Sequence, residues 1–520
     1  MITVMQSTAE LTADDVSGPV QFAMRGEGPD GATPADLARS AVRGGSVTLA
    51  AQGIKIVVQL VAITTLSRLL DPRDFGLIAM AAAVIGFAEL FKDLGLSLAT
   101  VQRPRITYDQ VSALFWINAA AGLGLALATA AAAPLVAWCY GEPRLMAITV
   151  ASAATLVLGG LTVQHQALIR RRMAFGALAL IDVGSQAAGV AAAIGVSLAG
   201  GGYWALVLQQ LVASAATALG VLILSDWRPS RRVPWTEARP LIAFGADMAG
   251  SNVLSYLSKT LDNVLIGRRW GASQLGIYSR AYGILMLPIT QINGPIAAVA
   301  ISVLSRLAGD PAAYSAQYLK LVRVLLALTT PACFAMAIFA PEIVQVLLGG
   351  RWAEAGQVLR VLSAASLVLP VLYAGGWLFA STGRTREYLL LWVAVASGLI
   401  GAFVLGLPGG ALGVARAYAV AMWLLIGPFL AVAIRGTGVR AGRLLGAIAA
   451  PVLACSAGSI LVLMLNGALA GQVSPLLRLL AGGPILAAAG VLSLVTPIRV
   501  PSEPGLGHPG FTFLRNRPRS

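Results

Sequence analysis

Of 520 residues, 57% are apolar and only 11% charged, with a mean hydropathy of +0.79, against about 25% charged in ordinary soluble domains, so water is not this chain's main solvent. The balance is basic, 37 Lys plus Arg against 22 Asp plus Glu, but the cations sit in short runs between apolar stretches. That marks them as topology signals and excludes nucleic acid as a partner.

Residues 1–43 mix acids, Gly, Pro and Ser without a basic start and apolar core. They are no cleaved signal peptide and are expected to form a disordered cytoplasmic tail. Fourteen segments then have the roughly 20 apolar residues that a helix needs to cross the hydrocarbon: 44–67, 75–98, 111–138, 146–168, 174–199, 203–225, 241–266, 276–300, 321–340, 358–380, 388–406, 412–434, 444–465 and 477–496. Residues 497–520 follow as a second tail. With the N-terminus inside, most Lys and Arg fall on the cytoplasmic side, including Arg170, Arg171, Arg172, Arg228, Arg231, Arg232 and Arg239. Basic loops stay in the cytoplasm, so both termini are expected there. The longest external connection, 341–357, is too short to fold as a catalytic domain.

An internal repeat is visible. SRLLDPRDFGL (67–77) aligns without a gap on GRRWGASQLGI (267–277) at an offset of 200, matching Arg68 with Arg268 and Gly76 with Gly276. Ala133-Pro134 and Gly201-Gly202 recur as Ala340-Pro341 and Gly409-Gly410. Six spans is an even number, so the halves share one orientation. The reading is an all-α polytopic membrane protein with two six-helix lobes in parallel repeat, 44–225 and 241–434, and two added helices at 444–496. Such duplicated halves place a substrate path at their interface.

Ionisable residues at mid-bilayer cost a few kcal/mol or more and are functional candidates. In the first helix Thr48, Gln52, Lys55 and Gln59 follow i, i+4, i+7, i+11 spacing on one face. Lys55 either lines a hydrated cavity or pairs with an acid on another helix. The seventh helix repeats the stripe with Asp247, Ser251, Asn252, Ser255, Lys259, Asp262 and Asn263; Lys259 and Asp262 could instead pair with each other. Arg280 and Arg416 lie about five residues inside their helices, where they face the cavity or snorkel to the outer headgroups. Arg68 and Arg268 cap helix C-termini or meet a departing anion. Asp182 and Asp247 are candidates for a coupling cation or for neutralising a buried cation.

No cysteine pair is spaced as CxxC, and neither histidine, His165 or His508, has a ligand or Ser/Asp partner at informative spacing. No disulfide framework, metal, cofactor or hydrolytic triad follows. A GxxxxGK[ST] loop is missing from the sequence, so no phosphate-binding ATPase motif powers the chain from within.

Three stretches carry a family resemblance: SRLLDPRDFGLIAMAAAVIGFAELFKDLGLSLATVQ (67–102), NVLIGRRWGASQLGIYSRAYGILMLP (263–288) and LLGGRWAEAGQVLRVLS (347–363). Over roughly 44–465 the chain resembles the Wzx-type polysaccharide flippases of the multidrug/oligosaccharidyl-lipid/polysaccharide exporter superfamily, nearest the lipopolysaccharide or colanic-acid exporter branch. The resemblance implies two six-helix lobes around a cavity of alternating access in the bacterial inner membrane, and an oligosaccharide repeat unit on undecaprenyl pyrophosphate as cargo. Its implied partners are membrane lipids, a polysaccharide polymerase and a chain-length regulator. The related lipid II flippases share two extra C-terminal helices and a sodium site with acids on helices 7 and 11. Here helix 7 offers Asp247, while 388–406 contains no acid.

On this reading Lys55, Lys259, Arg280 and Arg416 attract pyrophosphate while Gln52, Gln59, Asn252 and Ser255 bind sugar hydroxyls. Two other functions compete. A cation-coupled drug antiporter would want an acid-lined cavity, and a membrane glycosyltransferase or polymerase would want a large external loop. Asp71 and Asp74 resemble the acids of such enzymes but read more simply as turn residues around Pro72.

Overall fold

The computed structural model describes residues 34–93, 97, 100, 101, 106–230, 235–468 and 474–495; the side chains of 34–49, 235–255, 257–259 and 468 lie outside that description. Among the described residues the regular elements are helices. These are α1 (Pro34–Leu69), α2 (Pro72–Asp93), α3 (Tyr108–Tyr140), α4 (Arg144–Arg171), α5 (Phe175–Leu198) and α6 (Trp204–Leu224). A helical run, Trp235–Arg306, is broken at Gly271 into α7 and α8. Then come α9 (Pro311–Ile338), α10 (Ala340–Leu347), α11 (Ala353–Ser366), α12 (Leu369–Thr382), α13 (Thr385–Gly406), α14 (Gly410–Ala433), α15 (Ala441–Ala468) and α16 (Pro475–Val495).

Among the described residues, 12 stretches are long and apolar enough to span a bilayer. Two of them, Thr260–Arg306 and Thr385–Ala433, are 47 and 49 residues long, more than twice what one crossing needs. The first is divided by Gly271, whose φ of 79° and ψ of −177° belong to glycine-only backbone. The second is divided by the 3-10 turn Leu407–Gly409. The arms of the Trp235–Arg306 run on either side of Gly271, and α13 and α14 on either side of the 3-10 turn, are each long enough for one crossing, in keeping with the fourteen expected from the sequence.

Local signals explain the helix ends. Thr107 caps α3 through a reciprocal box with Gln110. Asp310 accepts from the Ala312 and Ala313 amides ahead of Pro311, which opens α9. Two elements differ from the sequence reading. α1 begins at Pro34, inside the stretch expected to be a tail, because proline suits the first helical turn and ADLARSAVR continues with good helix formers. The span expected at 358–380 is split into α11 and α12 at Leu367-Val368, just before Pro370, which has no amide to donate. Residues 1–33 and 496–520 lie outside the described residues, so the tail expectations there stand untouched.

In the first half α1 packs on α5, α3 on α4, and α6 on both α4 and α5. In the second, α11 packs on the α7–α8 run and on α14, and α13 pairs with α14. The last two helices pack on each other and both lie against α9. Buried Arg323 of α9 donates to the Ser493 carbonyl of α16 and ties them together.

The halves meet chiefly where α2 crosses the α7–α8 run. At the crossing, a Cβ on Gly76 would overlap the Ala272 carbonyl, and one on Gly276 the Pro72 carbonyl. The two glycines matched by the 200-residue repeat therefore face each other across the half-to-half contact, backbone against backbone.

The segment leaving α6 is docked on the first half. Trp227 is 2% exposed, with its ring 5.0 Å from His165, 5.9 Å from Phe115 and 6.1 Å from Tyr108. Three residues on, the Ser230 amide donates to Ser112 Oγ at 3.0 Å and its carbonyl accepts from Trp116 Nε1 at 2.8 Å.

Candidate functional site

The end of the half-to-half interface at the α1–α2 turn is sealed. Trp352 is fully buried, donates its indole N–H to the Ser67 carbonyl at 2.7 Å and meets the Phe75 ring edge-on at 5.3 Å. Arg68 donates to the Val346 carbonyl at 2.8 Å, and Arg351 reaches Asp71 at 3.1 Å. Asp74 accepts from the Asp71 amide at the start of α2. Asp71 and Asp74 are thus turn and latch residues. α10 and the turn Gly350–Trp352, both from the second half, lie across the end of α1 and close this face.

Below the seal the interface changes character. Among the described residues α1 packs on α5 and makes little contact with the α7–α8 run, and polar side chains of α1 mark three levels. Nearest the seal is a cavity of about 230 Å³ lined by Gln59, Ala62 and Leu66 of α1, Gln209 of α6, and Arg280 and Gly283 of α8. The Arg280 guanidinium lies 3.7 Å from the Phe75 ring centroid, a cation–π contact joining the cavity to the seal. One turn further along α1, Lys55 approaches Asp182 of α5 at 4.0 Å, with side chains 33% and 58% exposed. A pair this long and this open is worth little and yields readily to a competing charge. Deeper still, Gln52 Nε2 donates to Gln291 Oε1 of α8.

Spacing accounts for the column. Gln52, Lys55 and Gln59 lie on one face of α1. On α8, which runs antiparallel, Arg280 and Gln291 stand eleven residues apart and share a face. At 1.5 Å rise per residue, Lys55 lies about 21 Å along α1 from its end at Leu69.

The sequence-derived candidates are therefore distributed as follows. Gln59 and Arg280 share a cavity, Lys55 meets Asp182, and Gln52 meets a residue the sequence reading did not single out. Arg416 lies elsewhere, in a groove between α13 and α14. Asp247, Asn252, Ser255 and Lys259 are on α7, but their side chains lie outside the described residues. From the same part of α7, Tyr256 donates to the Ala82 and Ala83 carbonyls of α2. Asp262 is 5% exposed and accepts from the Tyr278 hydroxyl and the Asn263 amide, both at 2.8 Å. Tyr278 stacks on Tyr282, which meets Tyr418 edge-on.

Gln209 and Gln291 were missed. Both stand in apolar surroundings, WALVLQQLVAS and LPITQINGPIAA. Gln52 and Gln59 were singled out by their spacing with Lys55, whereas the cost of burying an unpaired amide would have marked Gln209 and Gln291 as well. Among the described residues no group of His, Cys, Asp and Glu is arranged to hold a metal ion.

A family model described as "Polysaccharide biosynthesis protein" matches residues 65–357, more than half of the chain and both sides of this interface. The chain belongs to that family. Among the family's relatives, the lipopolysaccharide biosynthesis protein WzxC of Escherichia coli K12 is 24% identical over 341 residues, covering 64% of this chain and 68% of WzxC. The succinoglycan biosynthesis transport protein ExoT of Rhizobium meliloti is 27% identical over 318 residues, covering 60% and 63%. The chain thus spans about two thirds of the length of these relatives. The lipid II flippase MurJ, in an inward closed conformation, shares the fold at a TM-score of 0.68 and 11% identity, over 87% of this chain and 97% of that one. An inward-facing MATE transporter of the MOP superfamily shares it at 0.57 and 16%, over 75% and 99%. This family member thus has the all-α polytopic fold of that superfamily.

Proposed function

We propose that this protein is a flippase, not an enzyme, that moves undecaprenyl-pyrophosphate-linked oligosaccharide repeat units across the bacterial inner membrane for lipopolysaccharide or exopolysaccharide synthesis. The observation that carries the reading is the polar column along α1: one guanidinium and four glutamines that join the halves, with one lightly held lysine among them, sealed from one face by Trp352 and the glycine crossing.

The cargo poses a definite physical problem. A pyrophosphate-linked sugar cannot cross about 30 Å of hydrocarbon unaided, while its polyprenyl tail never needs to leave it. Arg280 and Lys55 supply cations for the pyrophosphate, with Asp182 releasing Lys55 as the anion arrives. Gln59, Gln209, Gln52 and Gln291 supply amides for sugar hydroxyls, and Asn252, Ser255 and Lys259 of α7 are assigned to the same cargo. Residues 44–225 and 241–434 act as the two moving lobes, parting at the seal where Gly76 meets Gly276 and Trp352 meets Phe75, with 444–496 as an accessory pair. Both termini lie in the cytoplasm, so the sealed face is external. An inside-negative potential favours outward movement of an anion by about 2.3 kcal/mol per charge per 100 mV, which biases direction without a coupling ion. Asp247 and Asp182 are the acids assigned to a coupling cation where one is used. A polymerase and a chain-length regulator act downstream.

The test is reconstitution in vesicles with a fluorescent undecaprenyl-pyrophosphate oligosaccharide. Arg280→Ala and Lys55→Ala are each expected to slow flipping at least tenfold, the factor that accompanies loss of a charge-assisted hydrogen bond. Unchanged rates in both would overturn the site, and movement of a cationic dye in place of the lipid would overturn the cargo.

A further inference from the structure

The groove that holds Arg416 belongs to neither the seal nor the polar column. α13 and α14 touch at their turn ends, where a Cβ on Gly406 or on Gly413 would overlap the other's carbonyl. From that point the helices splay and leave a space of about 720 Å³. Its walls are apolar, with Gly401 and Leu405 on α13 and Val420 and Leu424 on α14. Leu405 and Leu424 are 82% and 70% exposed on the protein surface, so the groove opens to the bilayer.

Arg416 is the one charged residue of this lining. It is exposed and, among the described residues, has no hydrogen-bond or ion-pair partner. A permanent cation in an apolar, bilayer-facing groove calls for a counter-charge.

Its depth says where that charge comes from. Arg416 lies six residues after Gly410, about 9 Å along α14. Side chains lean toward a helix's N-terminus, which here is the face of the α1–α2 turn. At that end Trp270 donates its indole N–H to the Leu407 carbonyl at 2.7 Å while 41% exposed, as tryptophans at the headgroup level do. The guanidinium therefore reaches the phosphate zone of the leaflet on that face, with the apolar groove running away beneath it.

We infer that the α13–α14 groove is a binding site for one anionic phospholipid, its phosphodiester held by Arg416 and an acyl chain lying along Gly401 and Leu424. A singly charged phosphodiester matches one guanidinium. A pyrophosphate, with more charge, is better matched by the separate polar column. The site is thus distinct from the path assigned to the cargo, and its test does not depend on flipping.

Native mass spectrometry of the detergent-purified full chain, titrated with phosphatidylglycerol, reads the site directly. Arg416→Ala is expected to weaken one phosphatidylglycerol per chain about tenfold, the scale of a charge-assisted hydrogen bond, and Arg416→Lys to weaken it less. A Cβ on Gly401 meets nothing within 4 Å, so Gly401→Leu fits without a clash, fills the chain's place and is expected to lower the same occupancy while Arg416 remains. Three results would overturn the assignment: wild-type occupancy in both Arg416→Ala and Gly401→Leu, diacylglycerol bound as tightly as phosphatidylglycerol, or one-for-one displacement by undecaprenyl pyrophosphate at lower concentration. The last would give the groove to the cargo's carrier lipid.

Discussion

The two ends of the half-to-half interface share α1 and α8 and are chemically opposite. At the α1–α2 turn, backbone meets backbone at Gly76 and Gly276, and Trp352 fills the space against Phe75 and Ser67. A few turns along α1, Gln59 lines a cavity with Gln209 and Arg280, Lys55 meets Asp182 and Gln52 reaches Gln291. Small and aromatic residues make a contact that is tight or broken, because packed interfaces are bistable and not continuously deformable. Long polar side chains make one that exchanges partners at little cost. On the proposed function, the first is the gate and the second the passage.

The difference can be attacked at three points. Gly76→Leu is expected to have the largest effect, because the added side chain meets a backbone carbonyl that cannot swing aside. The loss should exceed the roughly 1–3 kcal/mol of ordinary overpacking. The sealed end should then open, read as alkylation of a cysteine at Ser67 by a water-soluble maleimide. Trp352→Ala should follow, leaving a cavity and an unpaired Ser67 carbonyl at about 3–5 kcal/mol; the same cysteine should react, with a lower melting temperature. If either variant left Ser67→Cys as protected as in the parent, the seal would lie elsewhere. Smallest is Tyr278→Phe, which removes one of the hydrogen bonds to buried Asp262. A cost of about 1–3 kcal/mol is expected in thermal stability, with the maleimide reaction at the seal unchanged.

Much of the architecture could be read from the chain because its signals are strong and local. About 20 apolar residues per crossing and the 200-residue echo of Gly76 in Gly276 were enough for the helices and the repeat. The α11–α12 break was missed because Pro370 was read as part of one apolar run, without the consequence of its absent amide. The stripe on α1 was visible through its period, and so were the two resolutions of Lys55, one of which named an acid on another helix. That this acid is Asp182 depends on how α1 packs on α5, and pairings between distant segments leave no mark on either segment alone. Gln209 and Gln291 were passed over because an uncharged amide stands out less than a cation on an apolar background. Arg416 was left between the cavity and the outer headgroups, because depth alone does not distinguish a helix face turned to the other half from one turned to lipid.

The docking of Trp227 carries a consequence for range. With Ser230 bonded to Ser112 and Trp116, the chain that remains to link it to the start of the second half at Trp235 is five residue steps. At about 3.3–3.6 Å each, that is a leash of at most about 18 Å. On the proposed function, the halves cannot part further than that along this connection. The stroke is then bounded by where one tryptophan is docked, and loosening the ring's box is expected to lengthen it without touching the passage itself.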